Sequence, residues 1–381
     1  NSYATGNAAA SSRNVGGFVG WNVGLISQCY ATGNATCTNT TYSRVGGFAG
    51  AVAYCDGSTG KIDNCFSLGD VQKGCGDDNI TYGIGGFVGA FYSGGIITNC
   101  YSDGSFSLGS GNDNSGGFFG WFSSGTSEGN YYNEETSGFD DTNANTHPIT
   151  TREMQTQGTF ANWDFMEEST NGTDNIWGIS PLEHDGYPFL AWQGYDQFAV
   201  TPSGSGTEAS PYQISTVPHL YWLSQNMQDW DKYYEQSTNI DASAAATWYD
   251  NAGFFPIGNE NTGFAGHYEG NNHTVSNLTI DRSDENYIGL FGATDGATIE
   301  NLGMTDASIS GNAYIGALVG KIDSTVVQNC YSSGTLEGST IGGLIGWNAP
   351  SSEVEYCYNE ATINANFCVG GIKKKNEAIV Q

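Results

Sequence analysis

The chain has 381 residues, and its 40 acidic and 11 basic side chains give a formal charge of −29. A chain this acidic lacks the basic footprint that phosphate recognition needs, which argues against nucleic acid as a partner. No apolar stretch is long enough to cross a membrane as a helix, and the opening residues do not read as a secretory leader.

The chain repeats one pattern. An apolar residue, Gly-Gly, two apolar residues and Gly lead through a variable loop to Asn-Cys-Tyr and a glycine turn. It reads Val15 to Gly20 with Cys29 and Tyr30, Val45 to Gly50 with Cys65 and Phe66, Ile84 to Gly89 with Cys100 and Tyr101, and Ser115 to Gly120 with Tyr131 and Tyr132. A unit of about 25 to 40 residues marks a repeat protein in which each unit contacts its neighbours. The apolar runs are short, rich in Val, Ile, Phe and Tyr, and bounded by Gly, Asn, Asp and Ser, as strands between turns are. One coil cannot bury its inward side chains, whereas stacking at about 4.8 Å buries them and pairs the strand edges. The predicted fold is therefore all-β, a parallel β-solenoid with Phe18, Phe48, Phe87 and Phe118 in one inward ladder and Cys29, Cys65 and Cys100 in a second. Ser2 and Asn130 take the Cys place in other coils, which points to a tolerant packing position. Trp21, Trp121 and Trp347 fall at a common corner and are expected to be partly exposed.

Residues 1–135 read as coils of a first solenoid. Over 136–206 the glycine rhythm stops. Thr150 to Glu153 forms a capping-box pattern, and Trp163, Phe165, Trp177, Tyr187, Phe189 and Trp192 are expected to cover the last coil. The alternative for those aromatics is a carbohydrate-binding platform. Residues 207–262 read as the entry to a second solenoid. There Thr216 caps a predicted helix running to Met227, and strands are expected near Ser237 to Ile240 and Phe254 to Ile257. Residues 263–372 resume the repeat, with Leu290, Leu318 and Leu344 as an inward ladder and Cys330 and Cys357 in the Cys place; Leu302 substitutes there. Coil Ile315 to Gly338 suggests three strands and three corners per turn. Residues 373–381 abandon the pattern. Because Asn1 to Gly6 matches Gln28 to Gly33, the chain is expected to be a piece of a longer polypeptide.

The segment GGFVGWNVGLISQCYATGN resembles the GLUG repeat of large bacterial and archaeal surface proteins, and similar copies cover 1–135 and 263–372. The flanking segments 131–138, 149–165, 186–193 and 204–216 resemble what such proteins carry between arrays. The resemblance implies extracellular β-solenoids of the kind found in adhesins and beside IgA-specific metallopeptidases.

Nine cysteines divide in two. Those in the ladder (29, 65, 100, 330 and 357) would sit with β-carbons near 4.8 Å, beyond the ~3.8 Å that a disulfide prefers, so buried thiols are expected. Cys37 and Cys75 lie in the same loop of adjacent coils and are the disulfide candidate. Cys55 and Cys368 have no evident partner, and no spacing suits zinc, haem or redox chemistry. Sequons stand at Asn34, Asn39, Asn79, Asn171, Asn272 and Asn277, a number chance explains in a chain so rich in Asn, Ser and Thr.

A β-helix enzyme needs carboxylates or a base gathered on one face of adjacent coils. The histidines, at 147, 184, 219, 267 and 273, are scattered, and acidic residues such as Asp56, Asp103, Asp295 and Asp323 fall mostly in turns. No catalytic residue, cofactor or metal site is expected, beyond surface Ca²⁺ collected by an acidic exterior. The sequence predicts a non-catalytic structural module of an extracellular, cell-surface filament or adhesin. Its expected partners are neighbouring modules or copies of itself, and surface glycans. The alternatives are a glycan-binding adhesin module and, less strongly, a polysaccharide-degrading β-helix enzyme.

Overall fold

A computed structural model describes residues 1–11, 13–38, 43–53, 59–73, 81–108, 114–139, 145–166, 172–195 and 198–371. It divides into two compact units, one formed by 1–178 with 188–195, the other by 179–187 with 196–381. Both are stacks of parallel strands, as the repeat requires.

Coil Ile315 to Gly338 of the second unit has the three strands expected, Val319–Asp323, Val326–Gln328 and Tyr331–Gly342, whereas in the first unit each coil contributes five short strands. The second coil shows them: Cys29–Ala31, Ala35–Cys37, Ser43–Gly46, Ala49–Val52 and Lys61–Asp63. Each pairs in parallel with its equivalents above and below, giving five narrow sheets around the coil. The count is higher because glycine breaks the chain inside the apolar run as well as beside it. In Val45-Gly46-Gly47-Phe48-Ala49, a Cβ built on Gly46 would lie 2.1 Å from the Ala49 carbonyl oxygen, so the run itself is a corner. The second glycine of each pair serves the stacking. A Cβ on Gly17 would meet the Gly47 oxygen at 2.3 Å, one on Gly47 the Gly86 oxygen at 2.2 Å, and one on Gly86 the Gly117 oxygen at 2.1 Å. Any side chain there would hold adjacent coils apart.

That contact lets the phenylalanines stack. Ring centroids are 4.9 Å apart for Phe18 and Phe48, 4.8 Å for Phe48 and Phe87, and 4.7 Å for Phe87 and Phe118. The last three rings are fully buried, and Phe18, on the first coil, is partly so. The Asn of Asn-Cys is a corner residue in left-handed conformation, with φ of 51° at Asn64, 53° at Asn99 and 52° at Asn329, which Asn tolerates better than most residues.

The segment after the coils does more than close an end. Thr146–Ile149 adds one strand beside Asn130–Asn133, and the capping box at Thr150 and Glu153 forms as expected. The chain then runs back along the flank of the stack.

In the second unit the predicted helix is Val217–Gln225, with the Thr216 side chain accepting from the His219 amide. Strands Tyr212–Ile214 and Tyr233–Gln236, not anticipated, begin the stack. Near the expected strand at 237–240 stands only Ile240–Asp241, and 254–257 contributes a single bridge, from Ile257 to Phe291. Here several strands continue round corners, as Thr298–Ile315 does over 18 residues. Leu290, Leu318 and Leu344 are fully buried in one ladder, with the Phe291 amide bonded to the Leu318 carbonyl and the Leu318 amide to the Leu344 carbonyl.

Candidate functional site

The Cys rung is an internal packing row. Cys29, Cys65, Cys100 and Cys330 are buried thiols, while Cys357, on the last described coil, is partly exposed. Each sulfur is held by backbone: Cys65 Sγ lies 3.2 Å from the Asp63 carbonyl oxygen and accepts from the Cys29 amide at 3.3 Å. Burial pushes the Cys65 thiol well above its ordinary pKa, so it is poorly reactive. Asn130 fills the same place with the same bonding, its Oδ1 accepting from the Cys100 amide at 3.0 Å and its Nδ2 donating to the Ile97 carbonyl at 2.8 Å. Ser2 pairs with Cys29, as the sequence suggested.

The residue after each Cys points outward and forms an aromatic ladder. Centroids are 5.3 Å apart for Tyr3 and Tyr30, 4.9 Å for Tyr30 and Phe66, and 5.1 Å for Phe66 and Tyr101. Residues 160–166, 172–178 and 188–193 form a strap over this ladder. Each of three indoles donates to the corner of a different coil: Trp192 to the Gln28 carbonyl at 2.9 Å, Trp177 to Asn64 Oδ1 at 3.1 Å, and Trp163 to the Gly129 carbonyl at 3.0 Å. Tyr101 adds a bond from its hydroxyl to the Pro188 carbonyl at 2.7 Å. The aromatic cluster therefore covers the last coil at Tyr131, as expected, but extends beyond it along the flank of the stack, because the outward aromatic ladder, and not only the stack end, needs cover. Trp163 and Trp177 are fully buried with centroids 4.4 Å apart, so their faces are closed to a sugar. Tyr187, counted in that cluster from the sequence, falls in the other unit.

Corner aromatics at Trp21 and Trp347 are 45% and 37% exposed, as expected. In the second unit Tyr287, Tyr314 and Trp347 stack at 5.2 and 5.4 Å with Lys321 over two of them. Rings stacked so closely leave their edges, not their faces, to solvent.

Of the disulfide candidates, Cys37 is buried with its sulfur 3.1 Å from Ser43 Oγ, and Cys75 lies outside the described residues, as does Cys55. Among the sequons, Asn39, Asn79 and Asn171 lie outside them as well. Asn34 is committed to a corner ladder, since its Oδ1 accepts from the Asp70 amide at 3.0 Å, and Asn277 donates to Asp241 at 3.0 Å. Asn272 is exposed.

The sequence reading missed a polar row. Gln213, Glu235, Glu269, Glu300, Gln328 and Glu355 occupy one outward position on successive rungs of the second stack. Carboxylates are thus gathered on one face of adjacent coils, where the sequence placed most of them in turns. Gln213 and Asn271 donate to Glu235 at 3.0 and 2.8 Å, and these two bonds hold its carboxyl below the usual range. Asn301 Nδ2 lies 3.1 and 2.9 Å from the two oxygens of Glu269. Glu300 accepts from Gln328 and lies 2.7 Å from His267 Nε2. The signal was present as Glu at matched places in coils 233–236, 267–276 and 298–302, but those coils lack the glycine frame that would have aligned them.

The GLUG motif model matches residues 11–36, a span that begins before the Gly16-Gly17 corner and ends beyond the Cys29 rung. The rungs it covers recur in register through both stacks. The chain carries the GLUG motif. A 155-residue stretch is 38% identical to halomucin of Haloquadratum walsbyi, covering 40% of this chain and 2% of that protein. A second, of 133 residues, is 37% identical to an Evansella cellulosilytica protein described as a Gly-rich membrane protein, covering 33% of this chain and 15% of the relative. The chain thus spans a small fraction of the curated relatives it matches. A Bacteroides ovatus crystal structure described as an immunoglobulin A1 protease shares 24% identity over 42% of this chain and 50% of its own, at a TM-score of 0.32. That likeness is too remote to bear on activity.

Proposed function

We propose that this chain is a non-catalytic structural module of a large extracellular, cell-surface protein, serving as shaft or spacer in an adhesin or filament. The observation that carries the reading is the continuity of the rungs. In the first unit five parallel ladders cross four coils, and the strap ties the outer face of the stack at coil after coil. Load along such a stack is shared by many backbone hydrogen bonds at once. The acidic exterior favours solubility outside the cell. Halomucin and the Gly-rich membrane protein, as named relatives, suit a surface location, and among the described residues no helix is long and apolar enough to cross a membrane.

Stacking of further coils, from neighbouring modules or from copies of the chain, is the assembly mode that this architecture favours. The Cys37–Cys75 disulfide would pin two adjacent coils, and glycans at the sequons belong to the same extracellular setting. Electron microscopy of the purified chain tests the reading, with rod-like particles or end-to-end filaments expected. Compact particles that depolymerise a polysaccharide, with turnover abolished by Glu300→Gln, would replace the scaffold with an enzyme; selective binding on a glycan array would replace it with a lectin-like module.

A further inference from the structure

We propose that His267, Glu269 and Glu300 form a binding site for a divalent transition metal of the Zn²⁺ class. His267 and Glu269 project from the same face of one strand, and Glu300 stands on the next rung in register with Glu269. One ligand atom from each lies within 4.8 Å of the other two, and all three side chains are partly buried. Two in-register carboxylates repel, weakly in water and several-fold more at a protein surface of lower effective dielectric. The row adds a third carboxylate at Glu235. A cation placed among the ligand atoms relieves that repulsion where neutral amides only orient the oxygens.

The surroundings are arranged as a supporting shell. Asn301 holds both oxygens of Glu269, and Gln328 holds one oxygen of Glu300, leaving Glu300 Oε1 turned toward His267 Nε2 at 2.7 Å. Such outer partners fix the direction of a ligand's lone pairs. Loading would replace the proton shared by Nε2 and Oε1 with the ion, and that proton leaves to solvent. An ion about 2.0–2.2 Å from one nitrogen and two oxygens needs ligand atoms separated by roughly 3.3–3.6 Å, reached by small side-chain rotations. Donor chemistry selects the metal: imidazole with two carboxylates suits zinc, manganese or cobalt with water completing the shell, whereas calcium takes six to eight oxygens and no nitrogen. A solenoid supports this well, since parallel rungs fix the spacing of the ligands.

The test is equilibrium dialysis of the full chain against zinc chloride with calcium in large excess, followed by cobalt substitution. One zinc per chain should resist the calcium, and cobalt should give a visible absorption band of nitrogen and oxygen ligation. His267→Gln and Glu269→Gln should each weaken zinc binding at least about tenfold, while His273→Gln should not. Circular dichroism checks that each variant is folded, and the two ligand variants stand in for each other if one is not. Zinc displaced by equimolar calcium, or bound equally by wild type and both ligand variants, would reduce the cluster to part of a diffuse acidic surface and overturn the proposal.

Discussion

Substituting Gly86 with alanine isolates the role of the Gly-Gly pair. The new Cβ would lie 2.1 Å from the Gly117 carbonyl oxygen and 3.0 Å from Ser102 Oγ. The first contact is at least ~1 Å short of ordinary van der Waals separation, and its partner is backbone, which cannot rotate away. The coils must part locally, weakening the bonds from the Gly86 amide to the Gly116 oxygen at 3.2 Å and from the Phe87 amide to the Phe118 oxygen at 3.0 Å. Two bonds at about 0.5–1.5 kcal/mol each, with about 1–3 kcal/mol for overpacking, predict a loss of roughly 2–6 kcal/mol. Gly6→Ala is the control, because nothing lies within 4 Å of its added Cβ. It should change stability by no more than about 0.5 kcal/mol. Urea unfolding followed by circular dichroism gives the overall loss. Native-state hydrogen exchange at Gly47, Phe48 and Phe87 localises it, which matters because repeat stacks need not unfold in one step. If Gly86→Ala unfolds within about 1 kcal/mol of wild type, or both alanines cost the same, coil spacing is not what the second glycine protects.

Asn130→Ala removes a buried side chain and orphans the Cys100 amide, so a loss of about 2–3 kcal/mol is expected; Asn130→Cys, which restores the rung pattern, should recover most of it in the same urea assay. Under denaturing, non-reducing conditions, peptide mapping should link Cys37 to Cys75 and find Cys29, Cys65, Cys100, Cys330 and Cys357 alkylated; an unlinked 37–75 pair would sink the disulfide. Burial holds His184 down to about 4 from an ordinary 6.5. The unfolded chain therefore takes up the proton first, and this residue's contribution to stability, complete above pH 6.5, drains away toward pH 4. The loss is roughly 1–3 kcal/mol after allowing for partial exposure, and His184→Gln should flatten urea midpoints measured across that interval. An unchanged slope would show that other groups set the acid limit.

The inner rows were legible because each obeys a local rule that repeats. Phe48, Phe87 and Phe118 follow the same glycine pair, and the corner Asn adopts the same positive φ before Cys65, Cys100 and Cys330. The three strands of coil Ile315 to Gly338 were legible, but the five per coil of the first unit were not, because a glycine inside an apolar run looks the same whether it makes a corner or merely a close approach. Nor was the course of the strap. Trp192 meets Gln28 across 164 residues, and nothing local distinguishes an aromatic segment that covers an end from one that returns along a flank. The acidic row was hidden for a different reason. Glu235, Glu269 and Glu300 stand on rungs whose sequences share little beyond that position.

The separation between rows has a consequence for where function can lie. Inward positions are constrained by identity: a ring stacks on a ring, and a thiol or Asn satisfies the next coil's amide, so these rows carry stability and little else. Outward positions share the same register but touch solvent, so whatever residue recurs there is brought to about 4.8 Å from its counterpart. For neutral residues this spacing is harmless. For carboxylates it is a standing electrostatic cost, of order 1 kcal/mol per pair in water, that a structural role alone would remove by substituting any polar residue. Where Gln213 and Gln328 occur in the row they relieve it, and where Glu235, Glu269 and Glu300 persist side by side the cost remains. In a solenoid, an outward row that keeps like charges in register is therefore where a ligand should be sought first, ahead of the more conspicuous aromatic rows that the fold already uses to close its own flank.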